Sequence, residues 1–280
     1  MKKINNEGFA ISGVIYSLLL LFVMLLSAIL LMLVNRKFIL DSSNKDIMKK
    51  IENIEEKLTE NYIKDKQLLY IDYDFRFSQR EFIDLSGNGT SVTLNDFVSG
   101  DFHNDGLYFN GDSAFINTGI KNYNNSNYSF VARFKMHKFA DTSQKIIGDW
   151  EVAGGGLQTR SNFKKIGFSM YSQGDNGYKN LYSNMDLELD LYYTVAGVYD
   201  GTNMKLYING NLEAIMHVPG NVKTSPVPIY IGANPQPSGN AVDLTNMTLK
   251  YAMIYNKALT DKEVLDMYGV DIKRYKLSES

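Results

Sequence analysis

The stretch ELDLYYTVAGVYDG, Glu188 to Gly201, sets two carboxylates two residues apart in an apolar alternation. Side chains two apart on a strand share a face, so Glu188 and Asp190 would enter one cleft. Retaining glycosidases need such a pair about 5 Å apart, one acting as nucleophile and one as acid/base. The same letters also read as a plain strand running into an Asp-Gly turn. That reading buries Leu189 and Leu191 and turns both carboxylates to solvent.

Other reactive groupings are sparse. His103, His137 and His217 are far apart in sequence, and none has a second ligand at metal spacing. Paired surface or edge positions are expected for all three. No Gly-x-Ser-x-Gly elbow accompanies the serines. Gly154–Gly156 is not followed by Lys-Ser/Thr, so it reads as a flexible turn between strands and not as a phosphate loop. With no cysteine, disulfides, thiolate zinc and cysteine nucleophiles are excluded.

Binding is better supported. Sugars offer apolar C–H faces and many hydroxyls, so their sites combine aromatic surface with fixed polar groups. Between Asp149 and Asn184, Trp150, Tyr171, Tyr178 and Tyr182 are interleaved with Gln158, Arg160, Gln173, Asp175 and Asn176. Candidate ligand-binding residues are therefore Trp150, Arg160, Tyr171, Asp175, Asn176, Tyr178 and Tyr182. Trp150 and Tyr171 have a competing role as core aromatics, and Tyr178 follows a Gly-Asp-Asn-Gly loop.

The elements that must position these residues are mostly strands. The chain has 280 residues, 44% hydrophobic and 21% charged, with 19 Tyr and 15 Phe. That composition suits a folded, strand-rich protein. A net charge of −2 gives no support for nucleic-acid binding. From Leu68 onward short alternating runs recur: LLYIDYDF, GLYFNG, AFINTG, NYSFVARFKM, KIGFSMYS, YYTVAGVYDG, MKLYING, PIYIGA and LKYAMIYN. Each is bounded by Gly, Asn, Asp or Pro, the pattern of an antiparallel sandwich. Asp200-Gly201 and Asn209-Gly210 predict tight hairpin turns. LTDKEVLDMYG predicts a helix with Thr260 as N-cap, Glu263 completing a capping box, Leu259 and Val264 as a staple, and Gly269 as the stop.

The amino-terminal part differs. Phe9 to Val34 carries no charge across 26 residues, a helix of about 39 Å against a hydrocarbon core of about 30 Å. A transmembrane anchor is expected at 9–34, with the bilayer as partner. Lys2 and Lys3 on one side are balanced by Arg36 and Lys37 on the other, so charge does not set its orientation. Ile47, Ile51, Ile54 and Leu58 then form a helical stripe among Lys and Glu, expected as a juxtamembrane stalk over 35–67.

The leader MKKINNEG followed by Phe9 resembles the prepilin-type leader of type IV pilins and pseudopilins, which is cleaved after the glycine. The resemblance implies processing between Gly8 and Phe9. It departs where pilins carry Glu at the fifth mature position, since that residue here is Gly13. An uncleaved signal anchor remains the alternative, and either way the large domain is expected outside the cell.

Further on, DLSGNG at Asp84–Gly89 follows YDF at Tyr73–Phe75, and LYFNGDSAFINTG comes next. YYTVAGVYDGTNMKLYINGNLEA, IYIGANP and YAMIYNKALTDKEVLDMYG complete the order. Together these resemble the laminin-G-like, concanavalin A-like lectin/glucanase family across most of 68–270. The resemblance implies an all-β, two-sheet antiparallel jelly roll, and calcium as its usual structural ion, with Asp84, Asn88, Asp112 and Asp243 as possible ligands. Laminarinase-type members of the fold carry Glu-x-Asp-x-(x)-Glu on one strand. Here Tyr192 and Tyr193 replace the third carboxylate, and the glycosidase reading fails on that point.

The expected organisation is a leader (1–8), anchor (9–34), stalk (35–67), jelly roll (68–272) and polar tail (273–280). The expected function is that of a single-pass cell-membrane protein of bacterial type. Its extracellular domain would bind a glycan or surface protein without catalysis. A pilin-like structural subunit, self-associating through anchor and stalk, is the alternative, and a glycoside hydrolase stands third.

Overall fold

The computed structural model describes residues 64–73, 82–121, 123, 126–160 and 163–276. The leader, the Gly8–Phe9 junction, the anchor and the stalk up to Ile63 lie outside the described residues. Among those described, no helix is long and apolar enough to cross a membrane.

The chain runs through β1 (Gln67–Asp72), β2 (Thr93–Asn95), β3 (Phe102–His103), β4 (Gly106–Asn110), β5 (Phe115–Asn117) and β6 (Tyr128–Met136). Next come β7 (Gln144–Gly148), β8 (Gly155–Arg160), β9 (Phe163–Ser172), β10 (Gly177–Tyr182), β11 (Tyr193–Tyr199) and β12 (Asn203–Ile208). Last are β13 (Asn211–His217), β14 (Tyr230–Ile231), β15 (Asn234–Pro235), β16 (Ala241–Val242), β17 (Asn246–Tyr255) and the helix α1 (Asp261–Tyr275).

An eight-stranded sheet has the order β13-β12-β11-β6-β17-β4-β3, with β1 also paired to β17. A seven-stranded sheet has the order β10-β9-β8-β7-β14-β5-β2, and β15 and β16 form a small separate ribbon. The pairings are antiparallel throughout. Between the two large sheets lies the main core, where Phe130, Phe134 and Leu249 meet Leu157, Phe168 and Ile231. The architecture is the expected two-sheet antiparallel sandwich.

A second apolar layer explains why β6 and β17 read as near-continuous apolar runs. Phe130, Ala132 and Phe134 face the main core, while Val131 faces the other way. There it joins Tyr70, Tyr207, Tyr251 and Met253 beneath Leu259, Val264 and Met267. Strands buried on both faces lose the apolar–polar alternation. Thus α1 covers the outer face of the eight-stranded sheet over β1, β6, β11, β12 and β17.

Local expectations hold at the hairpins and at the start of the helix. Asn209 and Gly210 take φ of 49° and 80°, the left-handed pair that a two-residue turn between β12 and β13 needs. Thr260 Oγ1 accepts from Glu263 N, and Glu263 Oε2 accepts in turn from Thr260 N. The expected stop at Gly269 is corrected. The helix continues to Tyr275 and ends at Lys276 in the left-handed conformation. A mid-helix glycine costs only about 1 kcal/mol, and the last two turns make bonds that outweigh it. Asp271 Oδ2 accepts from Thr194 Oγ1 at 2.6 Å and Tyr251 Oη at 2.7 Å. The Arg274 guanidinium grips both oxygens of buried Asp72 at 2.5 and 2.7 Å.

Candidate functional site

Among the described residues no helix lies over the outer face of the seven-stranded sheet at β7–β10, and that face holds a polar cleft. In β9, Phe168 and Met170 point into the core, so Gly167, Ser169 and Tyr171 face outward. Register carries that face across: Gln158 and Tyr182 flank Gly167, Gly156 and Asn180 flank Ser169, and Tyr178 pairs with Tyr171. On β7, Lys145 pairs with Gln158.

Two glycines make room for two flat rings. A β-carbon at Gly148 would fall 2.7 Å from the Trp150 ring, and one at Gly167 would fall 2.7 Å from the Tyr182 ring. Glycine inside a strand commonly marks such close approach. Trp150 Nε1 donates to Ser169 Oγ at 2.6 Å, fixing the indole against the sheet. Tyr178 Oη lies 2.5 Å from the Trp150 carbonyl and 2.8 Å from that of Ala153, tying β10 to the loop that carries the indole. Tyr171 packs edge-on against Tyr178 at 5.0 Å.

These side chains wall a groove of ≈ 290 Å³ lined by Ser143, Lys145, Trp150, Gln158, Arg160, Tyr178, Asn180 and Tyr182. Lys145 Nζ sits 4.4 Å from the centroid of the Trp150 ring and donates to Gln158 Oε1. Its counter-charge, Asp243, is 4.0 Å away. Burial pushes the Lys145 ammonium down to about 8, against the opposing pull of Asp243. Beneath the loop, burial pushes the Asp149 carboxyl up to about 8, although Gly155 N and Tyr123 Oη donate to its Oδ1. Asp149 Oδ2 has no partner among the described residues, and the bonds accepted by Oδ1 clip the loop.

Of the residues expected to bind, Trp150, Arg160, Tyr178 and Tyr182 line the groove, and Tyr171 stands beside it. Trp150 is only 8% exposed, so the indole serves mostly as floor. Asp175 and Asn176 sit instead at the β9–β10 turn. There Asp175 pairs with Lys179 at 2.9 Å and Asn176 Oδ1 accepts from Tyr171 Oη. Ser143, Lys145, Gln158 and Asn180 complete the groove; Gln158 stood among the interleaved polar residues, whereas the outward register of Lys145 and Asn180 emerges only once β7 and β10 are paired. Gly155 and Gly156 belong to β8 and do not form the expected flexible turn. A β-carbon on either would fall within 2.1 Å of a backbone oxygen on the adjacent strand.

The calcium expectation does not fit its residues. Asp84 accepts from the backbone N of Tyr70, Ser86 and Thr90 and from Ser86 Oγ, so its carboxylate organises the turn. Asn88 Nδ2 donates to the Gln67 carbonyl. Asp112 is exposed in a turn held by Asn110, and Asp243 faces Lys145. Among the described residues no three His, Asp or Glu side chains gather to hold a metal ion.

The segment around Glu188 also needs correction. Strand β11 starts at Tyr193, and Leu189 and Leu191 are 45% and 49% exposed; Leu187 is the buried anchor. Asp190 turns at φ 61°, and its Oδ1 lies 2.5 Å from His137 Nδ1. His137 Nε2 is 2.7 Å from Thr248 Oγ1. The Asp–His–Thr order resembles a hydrolytic relay, but Thr248 is wholly buried and presents no nucleophile to solvent. His103 stacks on Tyr108, which also neighbours His137, and His217 Nδ1 lies 3.3 Å from Asn203 Oδ1 on a sheet edge.

The family model described as the concanavalin A-like lectin/glucanases superfamily matches residues 109–265. The chain belongs to this superfamily. No curated protein matches it. Among solved structures, this concanavalin A-like chain is similar to the receptor binding domain of botulinum neurotoxin C/D mosaic serotype, at 20% identity and a TM-score of 0.59, over 76% of this chain and 53% of that one. It is also similar to the binding domain of botulinum neurotoxin DC. In complex with SialylT that structure gives 18% identity and a TM-score of 0.55, over 74% and 51% of the two chains. In complex with rat synaptotagmin II it gives 18% and 0.53, over 74% and 52%. The concanavalin A-like chain thus spans about half the length of these structures, and the likeness is one of fold.

Proposed function

We propose that the protein is a non-catalytic recognition module, anchored in the cell membrane by residues 9–34 and presenting its sandwich outside the cell. Its ligand is a carbohydrate or the glycan of a surface protein, held in the groove over β7–β10. One observation carries this reading: a cleft floored by two flat aromatic rings and walled by converging amide, hydroxyl and cationic groups, which is how sugar sites are built. The complexes with SialylT and rat synaptotagmin II formed by proteins of the same fold are in keeping with it.

The test is a glycan-array screen of the purified full-length chain beside Asn180→Trp, which fills the groove and leaves the inter-sheet core untouched. Saturable hits lost in the variant are expected. Hits that survive it would move the site elsewhere, and a blank from folded protein would remove the reading.

The Gly8–Phe9 junction favours a second reading, a pilin-like subunit whose anchor packs into a filament. Mass spectrometry of the mature amino terminus separates the two. Phe9 as first residue supports the filament reading, and an intact Met1 supports the simple anchor.

A further inference from the structure

We propose that the ligand of this groove is an acidic saccharide, one that carries a carboxylate or sulfate ester, with the charged group met by Lys145 and Arg160. The inference rests on the recognition reading above and adds to it the chemical class of the ligand.

The lining holds two cations and no carboxylate. Asp149, Glu151 and Asp243 are outside the lining, and each has a partner of its own. Asp243 stands 4.0 Å from Lys145, and Glu151 accepts from Gln236 Nε2 at 2.9 Å. Lys145 is a buried charge, its side chain only 8% exposed, and it meets Asp243 at 4.0 Å, the Trp150 ring and Gln158 Oε1. Burying a cation is unfavourable where its counter-charge is no closer than this, and burial lowers its pKa against the pull of Asp243. A ligand anion would supply a closer counter-charge.

The hydrogen-bond inventory points the same way. Both amide oxygens of the groove are already engaged: Gln158 Oε1 accepts from Lys145, and Asn180 Oδ1 accepts from Gln158 Nε2 at 3.3 Å. That leaves the Asn180 NH₂ group without a partner among the described residues, as a donor. Among the described residues Arg160 makes one long bond, 3.3 Å to Tyr182 Oη, which leaves its other N–H groups to donate to a ligand. A lining with two cationic side chains, an amide NH₂ to donate and no carboxylate suits an oxyanion, while the Ser143, Tyr178 and Tyr182 hydroxyls can serve the sugar's own hydroxyls. The Tyr182 ring beside Arg160 gives the sugar's C–H face a platform next to the charge.

The experiment uses an array of matched pairs: uronic acid oligosaccharides against their methyl esters, and sulfated disaccharides against desulfated forms. The full-length chain is compared with Arg160→Gln and Lys145→Met, each checked for an unchanged melting profile. Arg160 is exposed, so its variant keeps the test valid should Lys145→Met fail to fold. Acidic members should bind at least tenfold tighter than their partners, and Arg160→Gln should erase that preference while leaving residual neutral binding. The two kinds of pair tell carboxylate from sulfate. Equal binding of charged and neutral members would overturn the inference and leave the recognition reading standing. A blank across both would overturn the two together.

Discussion

The two outer faces of the sandwich are built from the same kind of strand and treated in opposite ways. Over the eight-stranded sheet, Tyr70, Tyr207, Tyr251 and Met253 form an apolar surface that α1 seals. The Asp72–Arg274 grip and the Asp271 bonds pin it from above. Over β7–β10, the seven-stranded sheet instead presents Lys145, Gln158, Asn180 and Tyr182 around a groove. A sheet face that is covered contributes to stability, and one left polar and concave is available for recognition.

The comparison can be broken from either side. On the sealed face, Arg274→Ala leaves the Asp72 carboxylate buried without its guanidinium. Urea unfolding should show a loss of about 3–5 kcal/mol, as for other broken buried pairs. A loss below about 1 kcal/mol would mean that the helix is not clasped.

Beneath the open face, Asp149 gives a pH signature. Its folded pKa is raised above the unfolded value by burial. Its stabilising contribution is therefore complete below the unfolded value and is lost as pH rises through about 8. Melting curves from pH 4 to 9 should show the wild type losing stability relative to Asp149→Asn, by no more than about 1.4 kcal/mol per pH unit, the limit for one proton. Parallel curves would contradict a buried, protonated Asp149.

Within the groove, Tyr182→Ala removes the ring over Gly167. Calorimetry should record about tenfold weaker ligand binding, near 1.4 kcal/mol, with stability lowered by no more than about 1 kcal/mol. The smallest effect belongs to the stretch that first suggested catalysis. Glu188→Gln should leave binding unchanged and stability within about 0.5 kcal/mol.

Legibility in the sequence follows the same division. The nine apolar runs correspond to β1, β4, β5, β6, β9, β11, β12, β14 and β17, since strands such as β6 bury Phe130, Val131 and Phe134 and announce themselves by composition. The strands that carry the groove, β7, β8 and β10, are short and polar on their outer side, and GGLQTR and GYKNLY lack a clean alternation. Four of the groove-lining residues, Trp150, Arg160, Tyr178 and Tyr182, were nevertheless legible, because aromatics interleaved with amides leave a trace in composition. Lys145 and Asn180 were not, because their outward position depends on a register set by pairing with distant strands. Leu189 and Leu191 misled for the converse reason: an alternation in letters did not become a strand, because the turn at Asp190 ends it.

The most direct measurement is hydrogen–deuterium exchange on the full-length chain with and without its tightest array ligand. Protection confined to 143–160 and 177–182 is the predicted result. Protection over α1, or at the β2–β5 end of the sheet with the groove unchanged, would contradict the assignment of recognition to the open face.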